Sequence, residues 1–155
     1  MRILIDSDDA GASLKNTIID HLNSKSIDVL DLDFARGSNK VNYPEIGYNL
    51  ALRLRDENLD RGILICGTGL GMAMIANKVK GVYAGPCHDV YSAERLRKSN
   101  NAQIITMGAR VIGSELAKKI IDAWLESEFE GGKSTPKVEM MHILEERSFG
   151  QTKER

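Results

Sequence analysis

The stretch Ile63-Leu64-Ile65-Cys66-Gly67-Thr68-Gly69-Leu70-Gly71-Met72 constrains the fold more than any other part of the chain. An apolar, strand-like run ends at a cysteine, and three glycines spaced by single residues then lead into the helical pattern Met72 to Lys78. In a parallel α/β protein such a junction is where ligands bind, because strand carboxyl ends and helix amino ends meet there with unpaired N–H groups pointing outward. Glycines let the main chain approach an anion closely. Cys66 stands at the positive end of that helix dipole, which favours a thiolate and makes it a candidate base or nucleophile. The alternative is a buried cysteine packing as a small hydrophobe. Its place directly before the glycine loop favours function.

The rest of the chain repeats the same strand-then-helix alternation. Arg2 to Ile5 is a short β-branched run, followed by the polar turn Asp6 to Gly11 and a helix from Ala12 to Ser24 carrying Leu14, Ile18, Ile19 and Leu22 at helical spacing. Ile27 to Asp31 reads as a strand and Phe34 to Asn42, with Gly37, Ser38 and Asn39, as a loop. Tyr43-Pro44 opens a helix kept in period by Ile46, Leu50 and Leu54. Gly62 to Cys66 is the third strand and Val82 to Pro86 the fourth, after which Asp89 caps a helix from Val90 to about Ser99. Ile104 to Met107 is the fifth strand, and a helix from Ser114 to Ser127 turns Leu116, Ile120, Ile121 and Leu125 inward.

This alternation predicts a three-layer, Rossmann-like α/β sandwich: a five-stranded parallel sheet with right-handed crossovers and helices on both faces. Beyond it lie a glycine-rich turn, Gly131-Gly132-Lys133, and a helical stretch from Val138 to Arg147 with apolar Val138, Met141 and Leu144. An arm that follows a complete sheet must cover its own chain or dock on a partner subunit. Residues 1–147 read as one domain and 148–155 as a frayed tail.

At 155 residues the chain is large enough to bury roughly two-thirds of its unfolded surface without disulfides or metal staples. Its charges nearly cancel, to a net −1, which leaves no nucleic-acid footprint. The acid at Asp6 comes too early for a signal-peptide core, and no apolar run approaches membrane-spanning length. Two cysteines without a pairing framework fit a reducing cytoplasm.

In a parallel sheet the carboxyl edge gathers Asp6 to Asp9, Cys66 to Gly71, Cys87-His88-Asp89 and the turn after Met107 into one cleft. A dinucleotide reading of the glycines fits poorly, since the third comes one position early and the motif follows the third strand rather than the first. Asp6-Ser7-Asp8 suggests a magnesium-dependent phosphatase, but the acids such a metal needs on a later strand are missing. Turn chemistry and helix capping are the plainer role for Asp6, Asp8 and Asp9. His21 and His142 read as surface or packing residues, whereas His88 sits at a strand end beside the cleft and is as good a catalyst as a structural hydrogen-bonder. Lys133 and Lys137 flank a turn and suit phosphate as point charges, or lie solvated.

Cys66-Gly67-Thr68-Gly69-Leu70-Gly71 with Ala76-Asn77-Lys78, Asp8-Asp9-Ala10-Gly11, Asn42-Tyr43-Pro44 and Gly131-Gly132-Lys133 together resemble the ribose-5-phosphate isomerase B and galactose-6-phosphate isomerase family, from Arg2 to about Leu144. The resemblance implies a homodimer, or a dimer of dimers, with active sites shared between subunits. It implies no metal and no cofactor, and aldose–ketose isomerisation of a phosphorylated sugar through an enediolate. In that scheme Cys66 is the base, Thr68 supports it, and the amides of Gly67, Gly69 and Gly71 hold the oxyanion. Asp8 and Tyr43 line the sugar pocket, Asn100 and Arg110 reach in from the partner, and Lys133 and Lys137 take the places of phosphate-binding arginines.

Two departures bear on the substrate. Ser99 stands where the family's ring-opening histidine is found, and Asp9 replaces a histidine that assists phosphate binding. An acid at Asp9 repels phosphate, which moves it toward Lys133, Lys137 and Arg110. A tetrose 4-phosphate has its only ring-forming hydroxyl esterified, so it needs no ring opener. The run His88 to Arg95, continuing through Ser99 to Arg110, is similar to the branch that isomerises D-erythrulose 4-phosphate in erythritol-type catabolism. A ribose 5-phosphate isomerase and a non-catalytic sugar-phosphate-binding subunit remain as alternatives.

Overall fold

A computed structural model describes residues 1–38 and 41–150. Five strands, β1 (Arg2–Ser7), β2 (Asp28–Asp31), β3 (Gly62–Cys66), β4 (Ala84–Pro86) and β5 (Ile104–Gly108), form one parallel sheet in the order β2-β1-β3-β5-β4. Strand residues alternate between two apolar layers, as the pleat requires. Ile3, Ile5, Ile63, Ile65, Ile105 and Met107 face one layer, built on α1 (Ala12–Ser24), α4 (Val90–Lys98) and α5 (Ser114–Leu125). Leu4, Leu64, Cys66 and Ile104 face the other, built on α2 (Tyr43–Asp56) and α3 (Leu70–Ala76). Helices therefore cover both faces, as the alternation implies.

α1 and β3 fall on the residues their patterns predict, and α2 opens at Tyr43-Pro44 with the Glu45 carboxylate accepting the Asn42 N–H at 3.0 Å. Asp89 caps α4 through the Ser92 N–H at 2.7 Å. Asp6 and Ser7 extend β1 by pairing with Leu64 and Ile65 rather than turning. β4 is shorter than its apolar run, because Val82 donates to Val79 in a turn and the Tyr83 N–H goes to the Gln103 side chain. Leu116 is exposed, contrary to its predicted inward placement. The buried row on α5 is Ala117, Ile120, Ile121 and Trp124, and Leu116 lies on its flank, about 90° of helical turn from its centre. Asn39, expected in the loop before α2, lies outside the described residues.

The carboxyl-terminal arm is α6 (Thr135–Gly150), entered by a short 3₁₀ turn, Gly132–Ser134. It docks on its own chain at the amino end of β4: Glu145 accepts from the Tyr83 hydroxyl at 2.9 Å, Lys80 pairs with Glu146 at 2.8 Å, and His142 stacks on Tyr83. Val138 is buried, while Leu144 is exposed. The helix continues through Gly150, past the point where the sequence suggests fraying; the remainder of that tail, 151–155, lies outside the described residues. Among the described residues no helix is long and apolar enough to cross a membrane.

Candidate active site

The chain crosses from one side of the sheet to the other between β1 and β3, and the loops that follow these two strands open at their carboxyl ends. The loops touch: Asp8 N–H donates to Ile65 O at 3.3 Å, and a side chain at Gly11 would strike that same carbonyl. Asp8 Oδ1 also accepts the Gly11 N–H at 3.0 Å, so the capping role foreseen for this acid is present.

Main-chain contacts pin the glycine loop. Gly69 adopts φ 77°, and a Cβ there would lie 2.8 Å from the Met107 carbonyl carbon. The Thr106 hydroxyl donates to Gly69 O at 2.7 Å. The Tyr43 ring fills the space over Gly71, where a Cβ would meet it at 2.5 Å. That closes the approach a dinucleotide pyrophosphate would need. Gly67 has its neighbour in Arg110, whose Nη1 lies 3.0 Å from the position of a Cβ.

Cys66 projects into the α2–α3 layer and is only 5 % exposed; its sulfur accepts the Gly69 N–H at 3.1 Å. The sulfur is thus held by the amide that leads into α3. Thr68 is exposed beside it, and its Oγ1 takes the Leu70 N–H at 3.4 Å. The other cysteine, Cys87, is buried in the opposite layer, and burial with Asp89 nearby pushes its thiol up to about 12, which leaves it inert. His88 lies beyond β5 from Cys66, with Nε2 accepting the Gly108 N–H at 2.9 Å.

Two cavities open at this edge. One, of about 310 Å³, is walled by Ser7, Asp8 and Asp9 on one side and Lys15, Asp33 and Arg36 on the other. The second, of about 190 Å³, lies between Tyr43, Gly71 and Lys78. Cys66 itself lines neither.

Sequence reasoning missed the ionic clamp behind the larger cavity. Lys15, 6 % exposed, sits 2.9 Å from Asp31 Oδ1 and 3.8 Å from both Asp6 Oδ1 and Asp33 Oδ1. Asp6 is 1 % exposed and accepts the N–H groups of Ser7 and Phe34, so it ties the loop after β2 to the end of β1. Burial raises its carboxyl above the ordinary value against the opposing pull of those amides and Lys15. Lys15 on an amphipathic helix gives no sequence signal of this; a lysine one turn after a strand's acidic end is the hint available in retrospect. Among the described residues no group of three or more His, Cys, Asp or Glu is placed to hold a metal ion.

The other predicted residues lie elsewhere. Ser99 and Asn100 follow α4 and lead into the start of β5, at the amino edge of the sheet. Lys133 and Lys137 are exposed at the start of the arm, whose approach is fixed there by Glu130 N–H on Lys98 O at 3.1 Å. Arg110, one of the residues the resemblance has reaching in from the partner, lies against Gly67 of its own chain, and its N–H bonds to Gly67 O at 3.0 Å. One chain thus presents a thiol, loop amides and Arg110 at one edge, and Ser99, Asn100 and two lysines at the other.

The ribose/galactose isomerase family matches the chain over residues 3–141. D-erythrulose-4-phosphate isomerase of Pectobacterium atrosepticum is 53% identical over 152 residues, 97% of this chain and 99% of that one. Ribose-5-P isomerase B of Listeria innocua is 48% identical, covering 96% of this chain and 99% of its own. The solved ribose-5-phosphate isomerase B of Clostridium thermocellum superposes with a TM-score of 0.89 at 40% identity, over 96% of this chain and 99% of that one. With a cysteine and glycine loop at the strand-crossing point and matches of this extent along its length, the chain belongs to the ribose/galactose isomerase family.

Proposed function

We propose that the chain interconverts D-erythrulose 4-phosphate and D-erythrose 4-phosphate, with Cys66 as the base and an enediolate as the intermediate. The observation that carries the reading is the Cys66 sulfur, held at the end of β3 by the Gly69 amide beside an exposed Thr68. On the ketose, the thiolate takes a hydrogen from C1. The electron pair left behind becomes the C1–C2 double bond while the carbonyl pair moves onto O2. Return of the proton to C2, with transfer of the hydroxyl proton from O1 to O2, gives the aldose. Amides of Gly67 and Gly71 hold the oxyanion while that of Gly69 stays on the sulfur, and Asp8, Asp9 and Tyr43 contact the sugar.

The phosphate is received by Arg110 and by Lys133 and Lys137. Because the lysines, Ser99 and Asn100 occupy the opposite edge from Cys66, a second copy supplies them, and the working unit is a homodimer; light scattering separates it from a dimer of dimers. The reading places the protein in the cytoplasm, in the breakdown of erythritol-type polyols. The choice of a four-carbon substrate is supported by Ser99, which has no ring nitrogen for opening a cyclic sugar, and by the Pectobacterium relative. Its test is turnover of erythrulose 4-phosphate and ribose 5-phosphate by one preparation. We expect kcat/KM to favour the tetrose by about tenfold or more. A preference for ribose 5-phosphate, which the Listeria relative's name supports, reverses the substrate assignment but keeps the proton transfer.

A further inference from the structure

β4 ends at Pro86, which pairs with Thr106, two residues before β5 ends at Gly108. The Gly108 N–H therefore has no strand partner, and the His88 ring supplies one: Nε2 accepts it at 2.9 Å, which places the ring hydrogen on Nδ1. His88 is itself held, since the next residue, Asp89, caps α4 through the Ser92 N–H at 2.7 Å and hydroxyl at 2.6 Å.

Gly108 bears directly on the site. It pairs with Cys66 in the β3–β5 register, and its α-carbon packs so closely on the loop that a Cβ would lie 2.6 Å from Thr68 Cα. The next two residues reach back to the same loop, Ala109 N–H to Cys66 O at 2.8 Å and Arg110 N–H to Gly67 O at 3.0 Å. The segment 108–110 is a bracket across the cysteine and Thr68, and His88 is what holds its far side.

We propose that His88 is a positioning residue for the isomerisation, which sets Thr68 and Arg110 relative to Cys66 by accepting the Gly108 amide. It does not transfer a proton to substrate. Its Nε2 is spent on the main chain, and β5 lies between the ring and the sulfur. The proposal rests on the isomerase reading for its kinetic arm alone.

The test compares His88→Gln with His88→Leu. Glutamine Oε1 reaches where Nε2 stands and accepts the same N–H, yet it has no acid–base chemistry near neutrality; leucine fills the space and accepts nothing. We expect His88→Leu to lower kcat roughly 10- to 100-fold with KM changed little, and His88→Gln to recover most of the loss. Exchange of the Gly108 amide, read by NMR, should quicken in the leucine variant and stay protected with glutamine. Equal loss in both variants would show acid–base chemistry at His88 and overturn the proposal, as would full activity in the leucine variant. The amide readout stands even if the parent turns over neither sugar, so failure of the isomerase reading is seen separately.

Discussion

The two edges of the sheet are built by different means. At the carboxyl edge the glycine loop is held by main chain: amides on carbonyls, glycines against backbone, and one sulfur on one N–H. The amino edge is held by buried cations. Arg61, fully buried before β3, donates to Ser127 O at 2.7 Å at the end of α5, pairs with Glu128 at 2.9 Å, and lies 5.1 Å from the Trp124 ring. Arg97 reaches Asp60 at 2.6 Å, and the α6 arm is tied down by Glu145 and Glu146. A backbone-built loop leaves its amides aimed at a ligand, and a side-chain-built edge can carry extra cations outward without disturbing the strands. In the proposed site the contrast puts the thiol, the loop amides and Arg110 on one edge of the chain and the two lysines on the other.

The largest expected effect lies at the carboxyl edge. Cys66→Ala should lower kcat by about 10²–10⁴-fold while circular dichroism and phosphosugar binding stay near the parent's. Activity within a few-fold of the parent would remove the base assignment. At the other edge, Arg61→Ala strips Ser127 O and Glu128 of their donor and empties the space beside Trp124. It should cost about 2–4 kcal/mol in urea unfolding, with the active fraction retaining its kcat. Loss of kcat in the folded fraction would mean that the edges are coupled. If the exposed Lys133 and Lys137 hold the phosphate as proposed, Lys133→Ala combined with Lys137→Ala should raise KM roughly 10- to 100-fold and leave unfolding unchanged.

The smallest effect concerns Asp6. Its carboxyl is held above the ordinary value in the folded chain, chiefly by burial, so the native state binds this proton more tightly than the unfolded chain does. The contribution to stability is therefore full below the ordinary carboxylate range and falls as pH climbs through the folded value. Asp6→Asn should flatten that part of the stability-against-pH curve; an unchanged slope would assign it to other groups.

Elements with local causes were legible in the chain. The apolar run Gly62–Cys66 and the α1 row Leu14, Ile18 and Leu22 carry their own period, and the cap at Asp89 needs only its neighbours. What escaped depends on residues far apart in sequence. Leu116 fits a helical period as well as Ala117 does, and only the seat of α5 on the sheet decides between them. Lys15 and Arg61 read as ordinary surface cations until distant acids and a helix end are brought to them. For the site, the thiol and loop were visible as a motif, whereas the separation of Cys66 from Lys133 and Lys137 follows from sheet direction and the docking of α6.

The central claim is that one chain's carboxyl edge works against a second copy's amino edge. It is tested most directly by mixing the Cys66→Ala chain with the Lys133→Ala/Lys137→Ala chain, each nearly inactive alone at substrate levels below the parent's KM. If subunits share sites, exchange creates mixed dimers with one intact site each, and activity should return to about a quarter of the parent's. A mixture no more active than its two components, after exchange is verified, would contradict the account.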